Sequence, residues 1–260
     1  MKLIAILNWY DEPATWLASC VASLARIGVD HLIASDGAYP HYPDAKPRSG
    51  MEQAESITRT CDALDIGLTL DRPQFAERDE VQKRSYQFAL ATAAGTKFED
   101  WVFIIDADEV ISESARSVKA ELAETDRDVA HAYLWEALDP YAAEGKNNNE
   151  RTEEIYRKIP NEHRFGSLQT RFWRLLDNLR VEHNHYTYLG DRDGVTYSLR
   201  GRSELADELG IPTAKVFTPE TLVEIEHRDW YRTAWRSAQK KLYYEHRDRS
   251  GIERAAKVTT

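Results

Sequence analysis

Three Asp-x-Asp triplets carry the residue types and spacing best suited to chemistry in this 260-residue chain: Asp106/Asp108, Asp126/Asp128 and Asp191/Asp193. Two carboxylates one residue apart repel each other, and burying them is costly unless a cation or a proton joins them. The expected partner is a hard divalent cation, Mn²⁺ or Mg²⁺, completed by water and substrate phosphates. The pattern alone is common, so its surroundings must decide. Asp126-Arg127-Asp128 closes a helical stretch and Asp191-Arg192-Asp193-Gly194 has turn chemistry, so both read as solvated. Asp106-Ala107-Asp108 differs, because it directly follows Trp101-Val102-Phe103-Ile104-Ile105, the most apolar strand-like run of the chain. The competing reading of that triplet is a helix cap made by Asp108 together with Ser112.

The elements that must position these residues alternate in type. Leu3–Trp9 reads as a strand, and Pro13 opens a helix whose stripe is Trp16, Leu17, Cys20, Val21, Leu24 and Ile27. A second strand at His31–Ser35 ends at Asp36-Gly37, and a helix carrying Ile57 and Cys61 precedes a third at Gly67–Leu70. A long helix from Asp79 to Ala94 then leads into Trp101–Ile105. This alternation predicts an α/β fold with a mostly parallel sheet flanked by helices. Ligands of such sheets sit beyond the carboxyl ends of the strands, which is where Asn8, Asp36, Asp71-Arg72 and Asp106 fall. In the second half, Val129–Leu138, Gln169–Leu176 and His185–Leu189 alternate apolar with polar residues, as antiparallel or edge strands do. The polar stretch Ala142–Glu154 reads as a loop or lid, and a long C-terminal helix would bury Tyr231, Trp235, Ala238 and Leu242.

Further candidates lie around this frame. Lys83 and Arg84 supply cations on the helix before the motif, and arginine suits bidentate contact with phosphate. His183 and His185 would share one side of a strand, while His227 ends the alternation Leu222-Val223-Glu224-Ile225-Glu226. Arg228, Arg232 and Arg236 follow at helical spacing. Cys20 and Cys61 read as small core residues, with no disulfide or metal pattern between them.

These residues, in this order and spacing, resemble the GT-A glycosyltransferases, in particular the family 2-like enzymes. The resemblance rests on Asn8-Trp9-Tyr10-Asp11-Glu12 after the first strand, Asp36-Gly37 closing the second, Glu80-Val81-Gln82-Lys83-Arg84 opening the helix, and Ile105-Asp106-Ala107-Asp108-Glu109. It departs at Asp36-Gly37-Ala38-Tyr39, where that family usually has an Asp-Asp-Gly-Ser type of turn. It implies a single GT-A (Rossmann-like) domain over 1–260, with 1–112 binding a nucleotide-sugar and 113–260 forming a mixed acceptor half and the C-terminal helix. It further implies that Asn8 or Trp9 and Asp36 contact the nucleotide, and that Lys83 or Arg84 approaches the donor. Asp106 and Asp108 would hold the metal and diphosphate, with His227 as a further metal ligand and His185 as second choice. The implied activity is transfer of a sugar from a nucleotide-sugar donor to a saccharide or protein acceptor. If the anomeric centre inverts, a carboxylate must take the acceptor proton, and Glu136 and Glu109 are the two candidates.

Composition sets limits on this reading. A formal net charge of −10 argues against general nucleic-acid binding, which needs a basic surface. The apolar run Leu3–Leu7 is too short for a membrane span of about 20 residues, so no span and a cytoplasmic location are expected. A sugar-phosphate nucleotidyltransferase would share the sheet and the metal, but usually opens with a glycine-rich loop after strand one, and Asn8–Pro13 has no glycine. A non-catalytic carbohydrate-binding module could use the seven Trp and 13 Tyr for stacking, although aromatics are also ordinary core material.

Overall fold

The structure is a computed structural model that describes residues 1–38, 46, 48–74, 78–113, 117–137, 164–182, 187–199, 210–217, 222–228 and 242. Its centre is the strand β1 (Leu3–Trp9), every residue of which is buried. Such a strand, covered on both faces, needs the near-continuous apolar run that Leu3–Leu7 provides. It pairs in parallel with β2 (His31–Asp36) on one side and with β4 (Trp101–Asp106) on the other. β3 (Gly67–Asp71) extends the sheet beyond β2, again in parallel.

The strand period of two sorts side chains between the two faces. Leu3, Ala5, Leu7 and Trp9 face a core built with α1 (Ala14–Ser23), α2 (Met51–Ala63) and α4 (Val118–Glu124). Ile4 and Ile6 face a second core with α3 (Glu80–Ala94). α3 starts with a capping box: Asp79 accepts from the Gln82 backbone N–H, and the Gln82 side chain accepts from the Asp79 N–H.

The second half completes the same sheet. β5 (Glu109–Glu113), β6 (Val129–Ala137), β7 (Arg164–Arg174), the short β11 (Val216–Phe217) and β12 (Glu224–His227) give the order β3-β2-β1-β4-β7-β6-β12-β5, with β11 beside β6. β7 runs antiparallel to both β4 and β6, so the parallel half joins a mixed half without a break. β8 (Asp177–Glu182), β9 (Thr187–Arg192) and β10 (Val195–Ser198) form a separate antiparallel sheet. Val181 and Tyr188 of this small sheet pack into the α3-side core, where the Tyr188 ring stacks on Trp173 at 4.6 Å.

Three expectations change. Asp108 caps no helix with Ser112, because the residues after the motif form β5, antiparallel to β12 with His227 opposite Glu109. The β-branched pair Val110-Ile111 suits that ladder. Asp128 is not solvated, because Arg174 and Arg192 approach its two carboxylate oxygens at 3.2 and 2.9 Å. Leu242 is helical but 47% exposed, where a buried stripe was expected. The rest of that C-terminal segment, with Tyr231, Trp235 and Ala238, lies outside the described residues, as do the stretch Ala142–Glu154 and both His183 and His185. Asp191-Arg192-Asp193-Gly194 does form a turn, with positive φ at Asp193 (53°) and Gly194 (77°) linking β9 to β10.

Candidate functional site

The strand order reverses at β1, which has β2 on one side and β4 on the other. A crevice at such a reversal, beyond the carboxyl ends of the strands, is where open α/β sheets bind ligands. Asn8 stands there in register with both Ser35 and Asp106. By the alternation along their strands, all three lie on the face covered by α3. Asn8 is buried, and among the described residues neither its amide nitrogen nor its amide oxygen has a hydrogen-bond partner. Ser35 Oγ and Gln87 Oε1 are buried and unpartnered in the same way.

The charge on Asp106 is met by arginine. Arg84, buried on α3, donates from Nη2 to Asp106 Oδ1 at 3.0 Å. Arg171 of β7 donates from Nη2 to Glu109 Oε1 at 2.5 Å and holds Nη1 3.9 Å from Asp106 Oδ2. Glu109 Oε2 accepts the Asp106 backbone N–H at 2.9 Å. Two guanidiniums thus stand beside Asp106 and Glu109, and they supply part of the cation that buried carboxylates need. Burial opposes ionisation of Asp106, but Arg84 and Arg171 outweigh it and hold the carboxyl below its ordinary value. Glu109 goes the other way: burial pushes it up to about 7 despite Arg171. Lys83 donates to the Gly37 carbonyl at 2.9 Å, and burial, with help from Arg84, brings its ammonium down to about 7.

Asp108 lies one turn on. Its Oδ2 is 3.2 Å from His227 Nε2, and its carbonyl accepts the Arg228 N–H at 2.7 Å. Adjacent ligands of an octahedral cation with bonds of about 2.1 Å are roughly 3 Å apart, so this oxygen and nitrogen have a suitable bite for Mg²⁺ or Mn²⁺. Asp106, two residues earlier, has a side chain that is 43% exposed. Among the described residues no three His, Cys, Asp or Glu side chains already stand as a metal cluster. The structure thus pairs Asp108 with His227, and Asp106 with arginine.

Other candidates are placed differently. Trp9 and Asp36 are in register with each other on the opposite face from Asn8. Asp36 is wholly buried and accepts the Ser49 N–H, the Ser49 hydroxyl at 2.6 Å and Arg72 Nε at 3.0 Å. Those bonds occupy most of a carboxylate's accepting capacity. Ser49 Oγ also accepts the Asp11 N–H at 2.7 Å, which ties the exit of β1 to the segment after β2. Glu136 falls on β6 in register with His227 of β12. Arg228 pairs with Glu226 at 2.9 Å, while Arg232 and Arg236 lie outside the described residues. Cys20 and Cys61 are buried free thiols; burial, reinforced by Glu109, Asp108 and Asp106, raises Cys20 well above its ordinary value, and burial pushes Cys61 up to about 12.

Arg171 is the residue beside the motif that sequence reasoning missed. One step along β6, from Ala130 to His131, answers two along β7, from Phe172 to Thr170, which makes Arg171 the extra residue of a β-bulge. Bulges re-aim side chains, and this one turns the guanidinium toward Asp106 and Glu109. The only trace in the sequence is a charged residue beside the apolar pair Phe172-Trp173.

No protein-family model matches the chain, and no curated protein matches it. Among solved structures it is similar to a protein from Bacillus anthracis assigned as a glucose-1-phosphate thymidylyltransferase and determined in complex with a sucrose, with 11% identity and a TM-score of 0.35. The match covers 53% of this chain and 56% of that one, so the chain spans about half the length of that structure. Among the described residues no helix is long and apolar enough to cross a membrane.

Proposed function

We propose that the protein is a metal-dependent GT-A glycosyltransferase that moves a sugar from a nucleotide-sugar donor to a saccharide or protein acceptor. One observation carries the reading: beside the β1/β4 strand reversal, Asp106 stands against the buried Arg84, and, two residues on, Asp108 stands against His227. A diphosphate needs cationic donors around it, and the site offers them next to carboxylates that can share a divalent ion. Asp108, His227 and the open side of Asp106 are the residues that would hold Mn²⁺ or Mg²⁺. Bound there, the ion would supply Lewis-acid neutralisation of charge on the departing diphosphate.

The chain's own residues divide the remaining work. Arg84 fixes one oxygen of Asp106, and Lys83, one position earlier on α3, holds the Gly37 carbonyl at the exit of β2. Asn8 offers a nucleotide a buried amide whose donors and acceptor have no partner among the described residues, and an unpaired buried amide is costly until something satisfies it. Glu109 is committed to the Asp106 N–H and to Arg171, which favours Glu136, in register with His227, as the group that takes the acceptor proton.

Titration of the protein with nucleoside diphosphates and nucleotide-sugars, with Mn²⁺ or with EDTA, tests this directly. Tight binding that needs both Mn²⁺ and Asp108 is expected, and Asp108→Ala should abolish it along with donor turnover. Equal nucleotide affinity with and without Mn²⁺ would sink the metal assignment. The second reading, nucleotidyl transfer to a sugar phosphate, predicts pyrophosphate release from a nucleoside triphosphate plus a sugar 1-phosphate. The solved neighbour carries a name of that class, but a likeness at a TM-score of 0.35 argues for neither reading. Sugar binding without any nucleotide binding would instead indicate a carbohydrate-binding module.

A further inference from the structure

Arg84 and Arg171 approach Asp106 unequally. Arg84 is in hydrogen-bond contact with Oδ1 at 3.0 Å, whereas Arg171 Nη1 stands 3.9 Å from Oδ2. Arg171 is anchored through its other terminal nitrogen, Nη2, to Glu109, a carboxylate that is itself buried and tied to the Asp106 backbone. A guanidinium carries five N–H donors in a fixed fork. With Nη2 held on Glu109, the fork is oriented by the protein while Nη1 remains outside hydrogen-bond distance of Asp106. Its side chain is 11% exposed, on the same side as the half-open Asp106 carboxylate.

The charge inventory gives this arrangement a purpose. Arg84 is hydrogen-bonded to Asp106 and Asp108 stands against His227, so the cation in direct contact with the motif is already matched by a carboxylate and leaves no surplus positive charge for a diphosphate. A single divalent ion would leave part of a nucleoside diphosphate's charge unbalanced. An arginine that is pre-oriented yet not spent on Asp106 is suited to supply the remainder, since charge-assisted bonds from guanidinium to phosphate are strong and directional.

We propose that Arg171, delivered by the β7 bulge, is a binding residue for the terminal phosphate of a nucleoside diphosphate, donating from Nη1 to the phosphate that leaves the sugar. This rests on the glycosyl-transfer reading. In that reaction the bond from the anomeric carbon to the terminal phosphate oxygen breaks, its electron pair stays on that oxygen, and the acceptor oxygen bonds to the carbon as it loses its proton. Arg171 Nη1 would donate to the oxygen that gains charge. Glu109 serves it as an orienting anchor rather than as a reacting group.

The test compares diphosphate with monophosphate. UDP, GDP and dTDP, and the matching monophosphates, are titrated calorimetrically with Mn²⁺ against wild type, Arg171→Met and Arg171→Lys, each first checked for an intact thermal transition. Loss of one hydrogen bond to a charged group corresponds to about 10- to 100-fold in affinity. Arg171→Met is expected to lose that much for the diphosphate that wild type binds, and less than about threefold for its monophosphate. Arg171→Lys, which keeps a point charge but not the fork, should fall between and carries the same comparison if the Met variant does not fold. Unchanged diphosphate affinity in a folded variant overturns the proposal, and so does an equal loss for both nucleotides, which would mark Arg171 as structural. Absence of any nucleotide binding by the wild-type protein overturns the glycosyl-transfer reading itself.

Discussion

Replacing Glu109 with glutamine should flatten the pH dependence of folding stability in mildly acidic solution. Glu109 is buried, and burial raises its carboxyl from 4.5 to about 7 although Arg171 stands against it. An acid whose pKa is higher in the folded state binds its proton more tightly there. Its contribution to stability is therefore complete below the unfolded value and is lost as pH rises through the folded one. The window is pH 4.5 to about 7. At about 1.4 kcal/mol per pH unit, wild type should lose roughly 3 kcal/mol across it relative to Glu109→Gln. Asp106 is shifted downward, so its own contribution falls away in more acidic solution, outside this window. His31 and His131 are both lowered by burial and act in the opposite sense, favouring the folded state as pH rises toward 6.5. Both histidines are present in the variant as well, so their effect cancels in the difference. The assay is urea denaturation of both proteins at several pH values from 4.5 to 7.5, comparing midpoints at matched slope. Parallel stability curves would refute the reasoning and mean that Glu109 stays ionised throughout beside Arg171.

Three further substitutions test separate parts of the structure. Asp36→Ala removes the acceptor of Ser49 and Arg72 in a buried setting and should cost about 3–5 kcal/mol by chemical denaturation; a loss below about 1 kcal/mol would contradict the clasp. Gly166→Ala would place a Cβ 2.6 Å from Tyr133 Cζ and 2.8 Å from the Leu134 carbonyl oxygen, and since a backbone atom cannot step aside, roughly 1–3 kcal/mol of destabilisation is expected in the same assay. Asp128→Ala is the control within the chain: it breaks the contacts to Arg174 and Arg192 and should lower the melting temperature, yet leave the affinity for nucleoside diphosphate and Mn²⁺ unchanged. If nucleotide affinity fell as far in Asp128→Ala as in Asp108→Ala, the two triplets would not differ in role.

Local chemistry in the sequence determined the elements and the place of the motif. The apolar runs at Leu3–Leu7 and Trp101–Ile105 specify strands covered on both faces, and Asp79 with Gln82 marks the start of α3 before any tertiary contact forms. Because Asp106 directly follows such a run, its position at the carboxyl edge was legible, and the alternation through Leu222–Glu226 set His227 at the end of a strand. The partners of these groups were not. Arg171 reaches Asp106 because of one extra residue in a ladder between strands distant in sequence, and nothing local encodes that register. Asn8 and Trp9 are neighbours in the chain, yet only the packing of α3 on one face and α1 with α2 on the other decides which of them stands beside Asp106. Asp128 looked like a solvated copy of the motif until Arg174 and Arg192 were brought to it from β7 and β9. Periodicity and capping act over a few residues, whereas charge pairing depends on which strands lie side by side. The chain therefore announces two carboxylates at a sheet edge, and the tertiary structure decides that arginine meets one of them and histidine the other.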